Sequence, residues 1–258
     1  MLLLNIIGKA NGYANENFRL VQRMVFYWKK LCSYKNIALC FVIILLVTCW
    51  KAQQLAIIDD VSFLDYWQRT FYGHGSGRFR LFEIIELITI HSAPLYVIAV
   101  FLENRRGDQD AVVIIRLSSK KVWLYSTVSI GIVWIILYVI SFFVVGSLVG
   151  VVYGFSLLKF QLMAELLLLM SLDIVVQFLI LFLVYTIKRN VTIAFFTVVA
   201  THLIAIWIIY FPTGISSVAR SAEVGGLPFG LRVAILIGSL ITIWLMIRKI
   251  NLGKALLR

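Results

Sequence analysis

The chain has 258 residues, of which 62 % are hydrophobic, and a formal net charge of +12; its mean hydropathy is +0.97. Soluble domains carry roughly 45–50 % apolar residues, and no globular fold covers this much apolar surface, so the composition excludes a water-soluble protein and implies an all-α, multi-pass integral membrane protein. The basic residues are scattered between apolar stretches, which makes membrane topology, not nucleic-acid binding, their explanation.

The start, MLLLNIIGK, has an apolar run with no positive charge before it and no small-residue cleavage site, so it does not read as a cleaved signal peptide. Residues 1–35 are expected to form a cytoplasmic N-terminal segment. Within it, NFRLVQRMVFYWKKLCSYK places Phe18, Val21, Val25 and Trp28 near helical spacing among Arg and Lys, as an amphipathic interfacial helix would. Residues 36–258 are expected to form a six-span transmembrane domain, since a crossing helix needs about 20 mostly apolar residues. The first span is Asn36–Trp50, extended by LAII beyond a break at Lys51–Gln54. Cys32, Cys40 and Cys49 lie in or beside it without metal-ligand spacing and read as packing thiols. The second span is Leu81–Leu102, the third Val122 to about Val152, and the fourth Gln161–Ile187. The fifth, Val191–Phe211, follows after only KRN, which implies a tight helical hairpin, and the sixth is Leu231–Ile247. Between the fifth and sixth, residues 213–230 (TGISSVARSAEVGGLPFG) fit either a re-entrant element dipping into the outer leaflet or a surface loop.

With both termini cytoplasmic, the N-terminal segment, the 103–121 loop, the KRN hairpin and the tail together hold seventeen of the 24 basic residues. Cytoplasmic loops carry such an excess of Lys and Arg, so 103–121 is expected in the cytoplasm. Its second half, AVVIIRLSSKKVW, runs from an apolar strip into a basic cluster without a turn residue, as a short amphipathic helix on the membrane face would.

Ionisable residues inside spans are costly and raise a functional question by default. Here they are Glu83, Glu86, His91, Glu165, Asp173 and His202. Glu83 and Glu86, near the outer interface, are expected to be solvated or paired, with Arg78 or Arg80 as candidates. Asp173, about midway along the fourth span, is expected to hydrogen-bond or pair with another helix. For these three acids, lining a substrate path is the alternative reading. His91 and His202 read as satisfied core histidines, and no metal site is expected. The paired-glutamate pattern of intramembrane metalloproteases, the rhomboid GxSx motif and the GxxxxGK[ST] phosphate loop are all missing from the sequence, so no enzymatic activity and no bound cofactor are expected of the chain itself.

The order of these features resembles the membrane subunits of export-type ABC transporters, the ABC-2-like permeases. The shared pattern is an N-terminal amphipathic helix, six spans, a cytoplasmic coupling segment after the second span and a re-entrant element before the sixth. The local segment FLENRRGDQDAVVIIRLSSKKVWLYS is similar to that of small permeases in Gram-positive bacteriocin or lantibiotic export and immunity systems. The resemblance implies a permease in the bacterial plasma membrane, working with a separate ATPase subunit that holds ATP and Mg, and with a second permease protomer. It also implies that Glu103, Arg116, Ser118, Ser119, Lys120, Lys121 and Trp123 face that ATPase, and that a peptide is moved. The loop Lys51–Arg80 is longer and more aromatic than a minimal connector. Two other readings stand beside this one: an ion-coupled secondary transporter using Glu83, Glu86 or Asp173, and a peptide-binding immunity or sensor protein.

Overall fold

The computed structural model describes residues 25–57, 66, 70, 81–104, 120–155, 160–207 and 228–250. Among the described residues every regular element is helical. Six helices follow in order: α1 (Tyr34–Ala56), α2 (Leu81–Glu103), α3 (Lys120–Val152), α4 (Phe160–Lys188), α5 (Val191–Trp207) and α6 (Phe229–Lys249). A short helical segment over residues 25–31 precedes them. Each helix starts within two residues of the position expected from hydropathy. Five helices are long and apolar enough to cross a membrane; α5, with 17 residues, falls short of that length among the described residues. The chain thus has the make-up of a multi-pass membrane protein. The expected re-entrant element at 213–230 and residues 105–119 of the 103–121 segment lie outside the described residues, except for Pro228 to Gly230, where α6 begins.

Local chemistry sets the helix ends. Ser33 caps α1 by accepting a hydrogen bond from the Asn36 N–H at 3.4 Å, satisfying a donor that has no partner within the helix. Polar residues do not interrupt α1: it runs through Lys51–Gln54 as one helix, contrary to the expected break. At the end of α3, Gly154 has φ 82°, with its N–H on the Val151 carbonyl and the Phe155 N–H on the Gly150 carbonyl. That pair of bonds is the Schellman ending, which favours glycine at the left-handed position. The KRN hairpin is as tight as its sequence suggests. Arg189 takes the left-handed conformation at φ 56°, and Asn190 Oδ1 accepts from the Ile193 N–H at 3.0 Å to begin α5.

α4 lies at the centre of the bundle and packs against α2, α3, α5 and α6, while α2 touches α1, α3, α4 and α5. Gly131 of α3 makes one of these crossings possible, because a Cβ there would come within 2.4 Å of the Phe178 ring on α4. Small residues at such points let helix backbones approach closely. α6 lies on the flank, with Leu236 buried against Leu169 and Val176 of α4. Outward faces carry Phe41, Leu46, Leu148, Phe196 and Ile241, the apolar exterior that lipid contact requires. In the 25–31 segment Tyr27 and Leu31 are the buried residues, Tyr27 packing edge-on to Phe101 at the end of α2, whereas Val25 is half exposed. Of the residues expected on the apolar face, Trp28 packs against the core, while Phe18 and Val21 lie outside the described residues.

Candidate functional site

Three helices bring polar side chains to one place in the bundle interior. Asp173 and Gln177 are four residues apart on α4 and so share a face. His91 reaches them from α2: its Nδ1 lies 3.5 Å from Asp173 Oδ2 and 3.5 Å from Gln177 Nε2. His202 of α5 packs edge-on to His91, with ring centroids 5.3 Å apart. All four residues are buried, Asp173 and Gln177 completely. His202 Nδ1 sits 3.1 Å from the Val198 carbonyl, so with its proton on Nδ1 it donates to its own helix and turns a bare Nε2 inward. Among the described residues, His91 Nε2, His202 Nε2 and Gln177 Oε1 have no hydrogen-bond partner.

This arrangement can hold a proton in more than one place. With hydrogen on Nδ1, His91 donates to Asp173; without it, the Gln177 amide donates to the ring instead. Either state leaves Nδ1 satisfied, so gaining or losing the proton does not require the helices to part. Chains of Asp, Glu and His inside membranes commonly serve as proton relays. Among the described residues there is no group of three or more His, Cys, Asp or Glu able to hold a metal ion.

Beside His91 the backbone has a second special feature. Pro94 has no N–H, so the Ile90 carbonyl four residues earlier loses its donor within α2. The Tyr138 hydroxyl of α3 donates to that carbonyl at 2.8 Å, replacing the missing bond from another helix.

A buried ion pair lies further towards the Leu81 end of α2. Lys51 of α1 is paired with Glu86, the Lys51 side chain being 7 % and the Glu86 side chain 15 % exposed. Glu86 thus has a partner in the first span; the loop residues Arg78 and Arg80, its expected candidates, lie outside the described residues. Nearby, Tyr66 is fully buried; its hydroxyl lies 3.3 Å from the Gly146 carbonyl of α3 and 3.5 Å from that of Thr48 on α1, and its ring stacks on Phe155. Burial pushes the Tyr66 phenol above its usual pKa.

Of the residues expected to meet a motor, Arg116, Ser118 and Ser119 lie outside the described residues, as do the side chains of Lys120 and Lys121; so does the side chain of Glu83, the other acid expected near the outer interface. Glu103 ends α2 at the surface. Trp123 is 1 % exposed and packs against Phe182 of α4, so its indole joins α3 to α4. Glu165 lies in the first turns of α4, 3.3 Å from Gln161 Nε2. Sequence reasoning passed over Gln177, Lys51 and Tyr138. The i,i+4 spacing from Asp173 pointed to Gln177, and a lysine inside a continuous apolar helix pointed to Lys51. Nothing in the sequence selected Tyr138 among eleven tyrosines.

In comparison with known proteins, no family model, no curated protein and no solved structure matches this chain.

Proposed function

We propose that this chain is the permease subunit of an ATP-driven exporter, moving a peptide or other amphipathic substrate with a separate ATPase. The reading takes α5, continued to Phe211, as a sixth span, and sets both termini in the cytoplasm of a bacterial cell. A second permease protomer completes the complex, and ATP and Mg bind only in the ATPase. Besides the resemblance of 103–121 to a coupling segment, one mechanical observation carries it. The two anchors of that segment are both fastened to α4: Tyr185 donates to the Leu102 carbonyl at 3.3 Å, and Trp123 packs on Phe182. A push on 103–121 would therefore move α2, α3 and α4 together as one rigid body, which is how a soluble motor drives membrane helices. Glu103 and Arg116 would meet the motor directly, with Ser118, Ser119, Lys120 and Lys121 beside them.

A second reading, a proton-coupled secondary transporter, is favoured by the Asp173–His91–His202 cluster. One pair of measurements separates the two. Under the permease reading the chain co-purifies with a phosphate-loop ATPase encoded beside it, Glu103→Ala and Arg116→Glu release that partner, and vesicle transport requires nucleotide. Transport that persists without nucleotide, collapses with the proton gradient and is lost in Asp173→Asn would replace the permease with the secondary transporter.

A further inference from the structure

The buried residues of α5 are Val191, Ala194, Val198 and His202. Their spacing puts them on one face of the helix, and α5 packs against α2 and α4. His202 is the only titratable residue of α5, and it lies on the very face by which the helix is fastened. Its ring meets that of His91 on α2 edge-on, with centroids 5.3 Å apart. Further along the same seam Tyr96 of α2 meets Phe195 of α5, also edge-on, at 5.9 Å. The two helices therefore run antiparallel with one apolar and one titratable ring contact between them.

Two histidines here share one acid. Asp173 of α4, 3.5 Å from His91 Nδ1, balances a proton taken up by His91. His202 has only the Val198 carbonyl of its own helix at Nδ1. The sequences of α1, α3, α5 and α6 contain no Asp or Glu. On α2, Glu83 and Glu86 lie earlier in the helix, Glu86 being paired with Lys51 of α1, and Glu103 ends it. The other acid of α4, Glu165, lies two turns before Asp173, beside Gln161. The remaining titratable or charged groups on the packed helices add no negative charge at neutral pH: the Cys40 and Cys49 thiols of α1, the Tyr138 phenol of α3 on the Ile90 carbonyl, and the buried Arg232 of α6. One proton on the histidine pair thus makes a balanced His91–Asp173 ion pair. A second sets two like charges edge to edge in a low-dielectric interior, where their repulsion is strong.

We infer that the His91–His202 contact is an acid-sensitive latch: α5 is held on α2 while the pair carries at most one proton, and is released when both rings are protonated. Buried neutral histidines that must gain charge are a general cause of opening in acid. The latch is compatible with either transport reading above, because it concerns how α5 is seated and not what the bundle moves.

The test uses the full-length chain in nanodiscs, with Cys32, Cys40 and Cys49 changed to alanine and spin labels attached through Tyr96→Cys and Phe195→Cys. These positions lie on the same seam, so dipolar broadening of the electron paramagnetic resonance spectrum reports whether α2 and α5 stay together. The expected result is strong broadening at about pH 7.5, lost by about half or more at about pH 4.5 and regained on return to neutral. His202→Phe keeps a ring in the seam but cannot take the second proton, so its broadening should be the same at both pH values. His91→Gln, which removes the other ring, should likewise show no loss in acid. The inference is overturned if the otherwise unchanged chain keeps its broadening across the whole range. It is equally overturned if either histidine variant loses broadening in acid as the parent does, which would assign the response to Asp173 or another group. Transport is not the readout, so the outcome stands apart from the choice between permease and secondary transporter.

Discussion

The carbonyl of Ile90 owes its partner to two residues that neither sequence order nor composition connects. Pro94 removes the donor within α2, and Tyr138 supplies another from α3. In hydrocarbon, where water does not substitute, an unsatisfied carbonyl is costly, yet hydrogen bonds between membrane helices measure only about 0.6 kcal/mol on average and about 1.7 at most. Tyr138→Phe is therefore expected to destabilise the bundle by about 1 kcal/mol, read as a lowered midpoint of unfolding in detergent. In a Pro94→Ala background the backbone N–H returns to serve Ile90, so the same Tyr138→Phe change should cost clearly less. A double-mutant cycle checks this; equal losses in both backgrounds would mean the hydroxyl serves something other than the proline's missing bond. The polar cluster is a residue-scale feature of the same kind. Asp173 was legible as a residue needing a partner on another helix. That the partner is His91, and that His202 stands behind it, follows from which faces α2 and α5 turn inward, and uniformly apolar spans do not encode that in one dimension.

At the scale of elements, hydropathy was an accurate guide to where helices begin because a bilayer rewards length and apolarity directly. It failed where a helix continues through polar residues. Lys51–Gln54 reads as a break in water, but a helix satisfies its own backbone and the lysine needed only an acid to face, so α1 persists to Ala56. Which helices touch is encoded more locally, in residues small enough to admit a neighbour. Gly131 is such a point, since the Phe178 ring occupies the space its side chain would take. Phe178 is completely buried and has little freedom to withdraw, and overpacking a well-filled core costs typically about 1–3 kcal/mol. Gly131→Ala should lower stability within that range despite alanine's better helix propensity. Adding Phe178→Leu, which shortens the obstructing side chain, should recover part of the loss. Thermal unfolding of the two variants against wild type decides it, and a neutral Gly131→Ala would show that α3 and α4 are free to separate.

For the whole molecule, polar contacts contribute to the attachment of α1. It packs on α2 and α3, but much of its surface faces outward, including Phe41, Val42, Leu46 and Trp50. Two devices hold its Ala56 end: Tyr66, which bridges towards Thr48 and Gly146, and the Lys51–Glu86 pair. Removing one member of a buried pair leaves an uncompensated charge and typically costs about 3–5 kcal/mol, whereas replacing both with apolar residues of similar size is often neutral. Glu86 keeps some exposure, so the lower end of that range applies. Lys51→Met alone should destabilise the protein by about 3 kcal/mol and speed hydrogen exchange in the amides of α1 near Ala56. Lys51→Met combined with Glu86→Leu should restore most of that stability and return α1 to its wild-type protection. If the double variant stays as unstable as the single one, the pair's value lies in more than cancelling charge: the first span would then need a salt bridge, not merely an apolar contact, to keep its register against α2.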